Sequence, residues 1–269
     1  MLVLASLWTL AAEDELSLGR KPWQNLQKTL VEMSEPSFLR IWFGNPRLEA
    51  RDADGRVLRV EDQRVTERNY VAGVGRAMWT TLRIATLGTV LAAVLALPLG
   101  LLAARNLHAP RTVSFGAKAA LNTLRSIHTL VFGLLFVGIV GLGATAGIMA
   151  VAAHSAGTLG KLLAEAIESL DMQPVDAVRA TGAAPAQVFF LGVWPAVLPQ
   201  FVSQTLYVWE FNIRDSTILG LVGAGGLGLL LSEAMSLFQW GRLATLLLAI
   251  VAMVTLFDTL SRAVRRRLI

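Results

Sequence analysis

Three ionisable side chains stand close together where charge is costly. Glu210, Arg214 and Asp215 follow an uncharged run, Ala180–Trp209, interrupted by Pro185, Pro195 and Pro199. If a helix starts near Pro199, Glu210 lies roughly 16 Å into it. Glu210 and Arg214 are spaced i,i+4 with the acid first, which favours an ion pair on one helical face. Charges at such depth face a cavity or one another. The group therefore reads as a structural ion pair inside a bundle or as the lining of a polar pathway.

Other candidate chemistry is weaker. His108, His128 and His154 are the only histidines, and no two lie within five positions, so no local pair suggests a metal site. His128 and His154 read as buried, hydrogen-bonded histidines or as pathway residues. Cysteine is absent, which removes disulfides, a thiol nucleophile and thiolate metal centres. Gly223-Ala-Gly225-Gly226-Leu-Gly228 matches G-x-G-x-x-G, but the dinucleotide fingerprint needs a strand before it and an acid about twenty residues on. Here an apolar span precedes it and Glu233 is the next acid. A turn at the end of that span is the better reading. Gly160-Lys161 fails as a phosphate loop, because Ser155 and Leu162 stand where Gly and Ser/Thr are needed. Gly143-Ala-Thr-Ala-Gly147 is a G-x-x-x-G that permits close helix contact. No cofactor or metal is expected.

The elements that must position these residues follow from composition. The 269 residues are 54% hydrophobic and 16% charged, against about 25% charged in a soluble domain. With a mean hydropathy of +0.57, this points to an all-α integral membrane protein. Residues 13–78 hold eleven basic and eleven acidic side chains and read as a neutral, water-facing segment. Residues 79–269 read as the membrane body. Ile84–Ala104 is uncharged for 21 residues, about 32 Å as a helix, with Pro98 inside. Ser126–Gly160 lacks charge for 35 residues and divides into spans at about 119–141 and 145–167, with the turn at 141–147. A fifth span is expected from near Pro199 to near Val222 and a sixth over about 242–262, with Asp258 inside it. Met1–Ala12 is apolar but too short to span; it reads as an N-terminal transmembrane helix whose start lies upstream.

Orientation follows from the short loops. Arg105, Arg111 and Lys118 in one loop, and Arg262, Arg265, Arg266 and Arg267 in the tail, mark the cytoplasmic face. The 141–147 turn and the 223–241 connection then lie outside, as does 13–78. Trp79 and Trp240 stand at outer span ends.

The cytoplasmic stretch 168–195 is the most informative. Pro174 suits the first turn of a helix, Gly182 its stop, and Pro185 a second start, which Pro195 then interrupts. Two short helices joined at a glycine make a rigid elbow, a shape that can dock into a partner and transmit its movement. Asp176-Ala177-Val178-x3-Gly182, followed after nine residues by Gly192-Val193-Trp194-Pro195, resembles the coupling signature of ABC-importer permeases, Glu-Ala-Ala-x3-Gly-x9-Ile-x-Leu-Pro. Ala177, Gly182 and Pro195 match; Asp176 is conservative; Val178, Gly192 and Trp194 depart. Asn212-Ile-Arg214-Asp-Ser216-Thr217-Ile-Leu-Gly220-Leu-Val-Gly223-Ala-Gly225-Gly226-Leu-Gly228 resembles the corresponding part of phosphonate-importer permeases. Arg179-Ala-Thr-Gly182-Ala and Phe257-Asp-Thr-Leu-Ser-Arg262 do so as well.

The resemblance covers about 79–269 and implies a type I, MetI-like permease fold with five core transmembrane helices plus an N-terminal one. It implies a non-enzymatic transport subunit in a bacterial inner membrane, with its C-terminus cytoplasmic. Asp176, Ala177, Val178, Arg179, Thr181 and Gly182 would couple to a cytoplasmic ABC ATPase dimer. Glu210, Asn212, Arg214 and Thr217 would line the pathway, with Gly223, Gly225, Gly226 and Gly228 as gate or turn glycines. A periplasmic phosphonate-binding protein, a second identical or related permease and membrane lipid are the other expected partners; nucleic acid is not. Permeases for methionine or a quaternary amine would carry the same elbow. An ion-gradient transporter or channel would need no ATPase.

Overall fold

The computed structural model describes residues 22–45, 48–51, 57–107 and 110–266. Met1–Ala12, expected as a transmembrane helix, and His108 lie outside them. Eleven α-helices and one hairpin make up the described chain. Helices α1 (Pro22–Met33) and α2 (Ser37–Phe43) come first. Strands β1 (Leu48–Arg51) and β2 (Val57–Glu61) then pair antiparallel, Leu48 opposite Glu61, the one departure from an all-helical fold among the described residues.

Helix α3 (Gln63–Ala103) starts at Asp62, whose carboxylate accepts from the Arg64 N–H, and runs for 41 residues through Pro98. The step in composition at residue 79 is therefore no structural boundary: one helix carries both the polar stretch from 63 and the apolar one after it. Helices α4 (Arg111–Ser126) and α5 (Thr129–Val140) replace the single span expected over about 119–141. They meet at Ile127-His128 with a bend of 91°. Next come α6 (Ala144–Glu168), α7 (Gln173–Ala180) and the single turn α8 (Pro185–Val188).

Pro195 does not interrupt the chain as expected. A π-helical turn over Phe189–Val193 precedes it, in which the Trp194 N–H reaches back to the Phe189 carbonyl. Pro195 then occupies the first turn of α9 (Trp194–Leu219), where its missing N–H costs nothing. So α9 begins five residues before Pro199. A 3₁₀ turn at Gly220–Val222 leads to α10 (Leu227–Ser236), and α11 (Trp240–Arg265) closes the described chain.

By length and composition α3, α11 and the run Pro185–Val222 can each cross a membrane, and the bent α4–α5 pair makes a fourth if counted as one span. Helix α6 falls outside that group although it runs through the middle. It is rich in Ala, Gly, Ser and Thr and is buried along most of its length. Its small residues let backbones approach, the packing that replaces the hydrophobic effect inside lipid. A Cβ on Gly157 would stand 2.6 Å from the Arg125 nitrogen and 2.8 Å from the Leu121 oxygen of α4. One on Gly100 of α3 would stand 2.8 Å from the Gly160 oxygen. Gly147, the second glycine of the G-x-x-x-G, packs against Ile84 and Ala224.

Polar side chains join the helices at depth. The Asn212 amide donates to Thr89 Oγ1 at 2.8 Å and accepts from Ser155 Oγ at 3.0 Å, linking α9, α3 and α6. Trp209 Nε1 donates to Thr86 Oγ1 at 3.0 Å. At one end of the bundle Glu168 ties the connection after α3 to α4: it accepts from the Arg105 N–H at 2.9 Å and from Lys118 Nζ of α4 at 2.8 Å. Burial pushes this carboxyl up, but those hydrogen bonds and charges outweigh it and hold it below the usual carboxylate range. At the other end Arg242 bridges to Glu67 at 3.5 Å and lies 4.6 Å from the centre of the Tyr70 ring.

Candidate functional site

Helix α7 is anchored by Val175, with Val178 packed beside it. Val175 is 1% exposed and packs among Leu163, Ile167, Val188, Val193, Val197 and Phe201. Pro174 sits in the first turn, and the Thr181 hydroxyl donates to the Val178 carbonyl at 2.8 Å. Gly182 ends the helix at φ +80°, a conformation that disfavours any side chain, although no atom stands within 4 Å of where a Cβ would be. The Gln187 amide oxygen accepts from the Ala184 N–H at 2.9 Å and starts α8. Of the six residues assigned to coupling, Asp176, Ala177, Arg179, Thr181 and Gly182 are exposed and Val178 is half-buried. Arg179 bonds Asp176 one turn back, at 3.1 Å. The six form one outward surface on a rigid support. Gly192, which departs from the signature, faces Val175, whose Cα is 3.4 Å from where a Cβ would be, an ordinary contact that leaves room for a methyl.

The four pathway candidates separate. Glu210 and Arg214 do pair, at 2.9 Å, but two partners from α11 join them. Arg214 also reaches Asp258 at 3.2 Å, and Arg265 reaches the second oxygen of Glu210 at 2.8 Å. Two acids and two arginines make a neutral clamp between α9 and α11, in which the Arg214 side chain remains 43% exposed. Asn212 points to the other side of α9, where it is 2% exposed in the Thr89–Asn212–Ser155 node. Thr217 is buried, with its hydroxyl on the Arg214 carbonyl at 2.6 Å. Asp215 accepts from Thr129 Oγ1 at 3.0 Å and so pairs with α5, away from the clamp. The sequence signalled Asp258 as an acid within an apolar span. It offered no signal that Arg265, in a basic tail, folds back to Glu210.

The glycine run follows a helix and a 3₁₀ turn with no strand before it, so the dinucleotide arrangement is missing. Its backbone is packed tightly. A Cβ on Gly226 would collide with Thr81 Oγ1, the group that accepts from the Leu227 N–H at 2.9 Å; one on Gly228 would collide with the Thr217 carbonyl. The Gly143 N–H donates to the Gly223 carbonyl at 3.0 Å, which joins the 141–143 turn to this run. Among the described residues no cluster of His, Asp and Glu could hold a metal ion.

Comparison with known proteins gives this geometry a setting. Residues 96–269 match the family model described as binding-protein-dependent transport system inner membrane component. The phosphite transport system permease protein PtxC of Stutzerimonas stutzeri is 45% identical over 71% of this chain and 70% of its own length. The phosphate-import permease protein PhnE of Mycolicibacterium smegmatis is 37% identical over 74% of this chain but 37% of its own length. A solved structure of the MetNI methionine ABC transporter, inward facing, superimposes with a TM-score of 0.65 at 23% identity, over 73% of this chain and 96% of that one. That likeness shows the fold, which is the expected MetI-like one. The chain belongs to the family of binding-protein-dependent transport system inner membrane components.

Proposed function

We propose that this ABC-importer permease subunit moves a small tetrahedral phosphorus oxyanion, such as phosphite or a phosphonate, across the inner membrane. The observation that carries the coupling half of this reading is the elbow: a short helix held by buried Val175 and half-buried Val178, with Asp176, Ala177, Arg179, Thr181 and Gly182 turned outward. A cytoplasmic ABC ATPase dimer seats on that surface, and the residues supply no nucleotide chemistry of their own. The names of the similar permeases support the substrate class. The elbow, the α3–α4 connection and the C-terminus then lie in the cytoplasm, and the 141–143 turn and residues 13–78 face the periplasm. A periplasmic binding protein delivers the solute there, and a second permease subunit completes the pathway. The subunit itself stabilises inward- and outward-open states differently and catalyses no covalent step.

The α9–α11 clamp suits a pathway wall better than an anion trap. Arg214 is already shared by two carboxylates, so its attraction for a passing anion is weak. A gradient-driven transporter would have no use for an exposed, rigidly backed elbow.

Reconstitution in proteoliposomes with the ATPase and binding protein tests the reading. Phosphite or methylphosphonate uptake should require internal ATP. Gly182→Leu should leave the complex assembled and ATP hydrolysis running, while uptake per ATP falls at least tenfold. Uptake without ATP, or coupling that survives Gly182→Leu, would refute the elbow's role.

A further inference from the structure

The break between α4 and α5 is the feature of the membrane body that the coupling argument leaves unused. It lies deep. Helix α5 runs along α6, with Phe132 packed among Ala150 and Val151 and Phe136 beside Ile148. His154 stands opposite the break, about 15 Å along α6 from its start and about 21 Å from its end. Irregular backbone at such depth is tolerated where it is buried in protein or lines water. Here α6 covers one side of the break, at Gly157 and His154, and the other side is open: Asn122, Arg125, Ser126 and His128 are all exposed. Farther along α5 the exposed side chains turn apolar, namely Val131, Leu134, Leu135 and Ile139. Polar exposure is thus concentrated at the break, where lipid would penalise it most.

The hydrogen bonds of the two histidines specify what they can offer. His128 Nδ1 accepts from the Leu130 N–H at 3.3 Å, so in the neutral ring the proton sits on Nε2. His154 Nδ1 faces the Ile127 carbonyl at 2.8 Å; a carbonyl only accepts, so there the proton sits on Nδ1 and Nε2 keeps its lone pair. The rings are 6.4 Å apart between centroids, a distance that two hydrogen bonds of about 2.8 Å and one group between them can span. Among the described residues neither Nε2 has a protein partner. Neighbouring rings therefore carry one free donor and one free acceptor, with Arg125 three residues before His128 across the bend and Asp215 engaged with Thr129.

We propose that His128 and His154 form a way station for the singly protonated phosphorus oxyanion. This rests on the transport reading above and narrows it to a site. His128 Nε2–H donates to an ionised oxygen, His154 Nε2 accepts from the P–OH, and Arg125 favours the net negative charge. The Asp215 carboxylate opposes that charge, which keeps binding transient. The pairing fits a monoanion bearing both an acceptor and a donor; a dianion lacks the donor, and a zwitterionic amino acid has no net negative charge for Arg125 to favour.

The chain's lack of cysteine makes the test direct. In the reconstituted importer, His128→Cys should be modified by a charged, membrane-impermeant thiosulfonate in at least one nucleotide state. Phosphite or methylphosphonate should slow that reaction several-fold, and methionine should not. A thiol that stays unreactive in every state faces lipid or the partner subunit and overturns the proposal, as does a rate indifferent to phosphite. His128→Asn and His154→Asn, each keeping the Nδ1-side bond and deleting the Nε2 one, should each lower phosphite uptake per ATP about tenfold, the loss of one hydrogen bond to a charged group, with binding-protein-stimulated hydrolysis retained. Unchanged uptake in these variants beside an active wild type removes the way station alone. A wild type that carries no phosphorus oxyanion removes the substrate reading.

Discussion

Glu210 holds two arginines, whereas Asp258 shares one of them with Glu210. That asymmetry ranks their contributions. Removing Glu210 leaves Arg214 with a single partner and Arg265 with none among the described acids, and a deprived buried ion costs about 3 kcal/mol in a dry site. Arg214 is 43% exposed and Arg265 25%, so water recovers part of that cost. Glu210→Ala should therefore lower the thermal midpoint in detergent clearly more than Asp258→Ala. Equal shifts would mean that the clamp is no unit. The i,i+4 spacing made the Glu210–Arg214 pair legible in sequence, because a helix brings such residues together whatever surrounds it. Its two partners on α11 were not, because 44 and 55 residues of chain separate them from Arg214 and Glu210. Asn212 and Thr217 share a motif with Arg214 yet point elsewhere: motif adjacency is a property of the chain, and facing is set by the helix turn.

At the scale of elements, α6 is gripped by neighbours at its glycines. A side chain at Gly157 meets α4 backbone at 2.6 and 2.8 Å, and backbone cannot move aside as a side chain can. Gly157→Leu should destabilise the protein by about 2–3 kcal/mol through overpacking. Gly138→Ala, inside α5 with nothing within 4 Å, should leave stability unchanged or raise it by up to about 1 kcal/mol. Thermal unfolding of the two variants in one detergent measures the contrast, and equal effects would contradict the packing assigned to α6. The elbow helix, its proline start and its glycine stop could be read in advance because caps and breakers act within a few residues. Two elements were misread for a related reason. An uncharged run reports that residues avoid water and carries no information on straightness, so the 91° break at Ile127-His128 was invisible. Pro195 looked like an interruption because a proline forbids one backbone bond; the π-turn before it places that missing bond at a helix start.

For the whole molecule, the elbow and the 141–143 turn adjoin the two ends of α6, with Arg105, Arg111 and Lys118 at the elbow end. If basic loops face the cytoplasm, single cysteines at these ends should label from opposite sides. Thr181→Cys should react with an impermeant maleimide in inside-out vesicles only, and Leu142→Cys in right-side-out vesicles only. Labelling of both from one side would reverse or break the proposed topology. Both positions are exposed in the isolated subunit, so in vesicles stripped of the ATPase, which would otherwise cover Thr181, reactivity reports sidedness.

Amino-acid order alone determined that this chain belongs in a membrane, that it bends on one face at a proline-to-glycine elbow, and that it resembles importer permeases. Hydropathy, caps and motifs are local properties, written within a few tens of residues. Tertiary structure alone decided which side chains meet: the four-membered clamp, the Thr89–Asn212–Ser155 node, and the two histidines across the broken helix. Those meetings depend on how helices cross, and crossing is set by the small residues of α6 that let its neighbours approach. The physical reason is range: a helix turn spans four residues, whereas packing joins positions 123 residues apart, as it does Thr89 and Asn212.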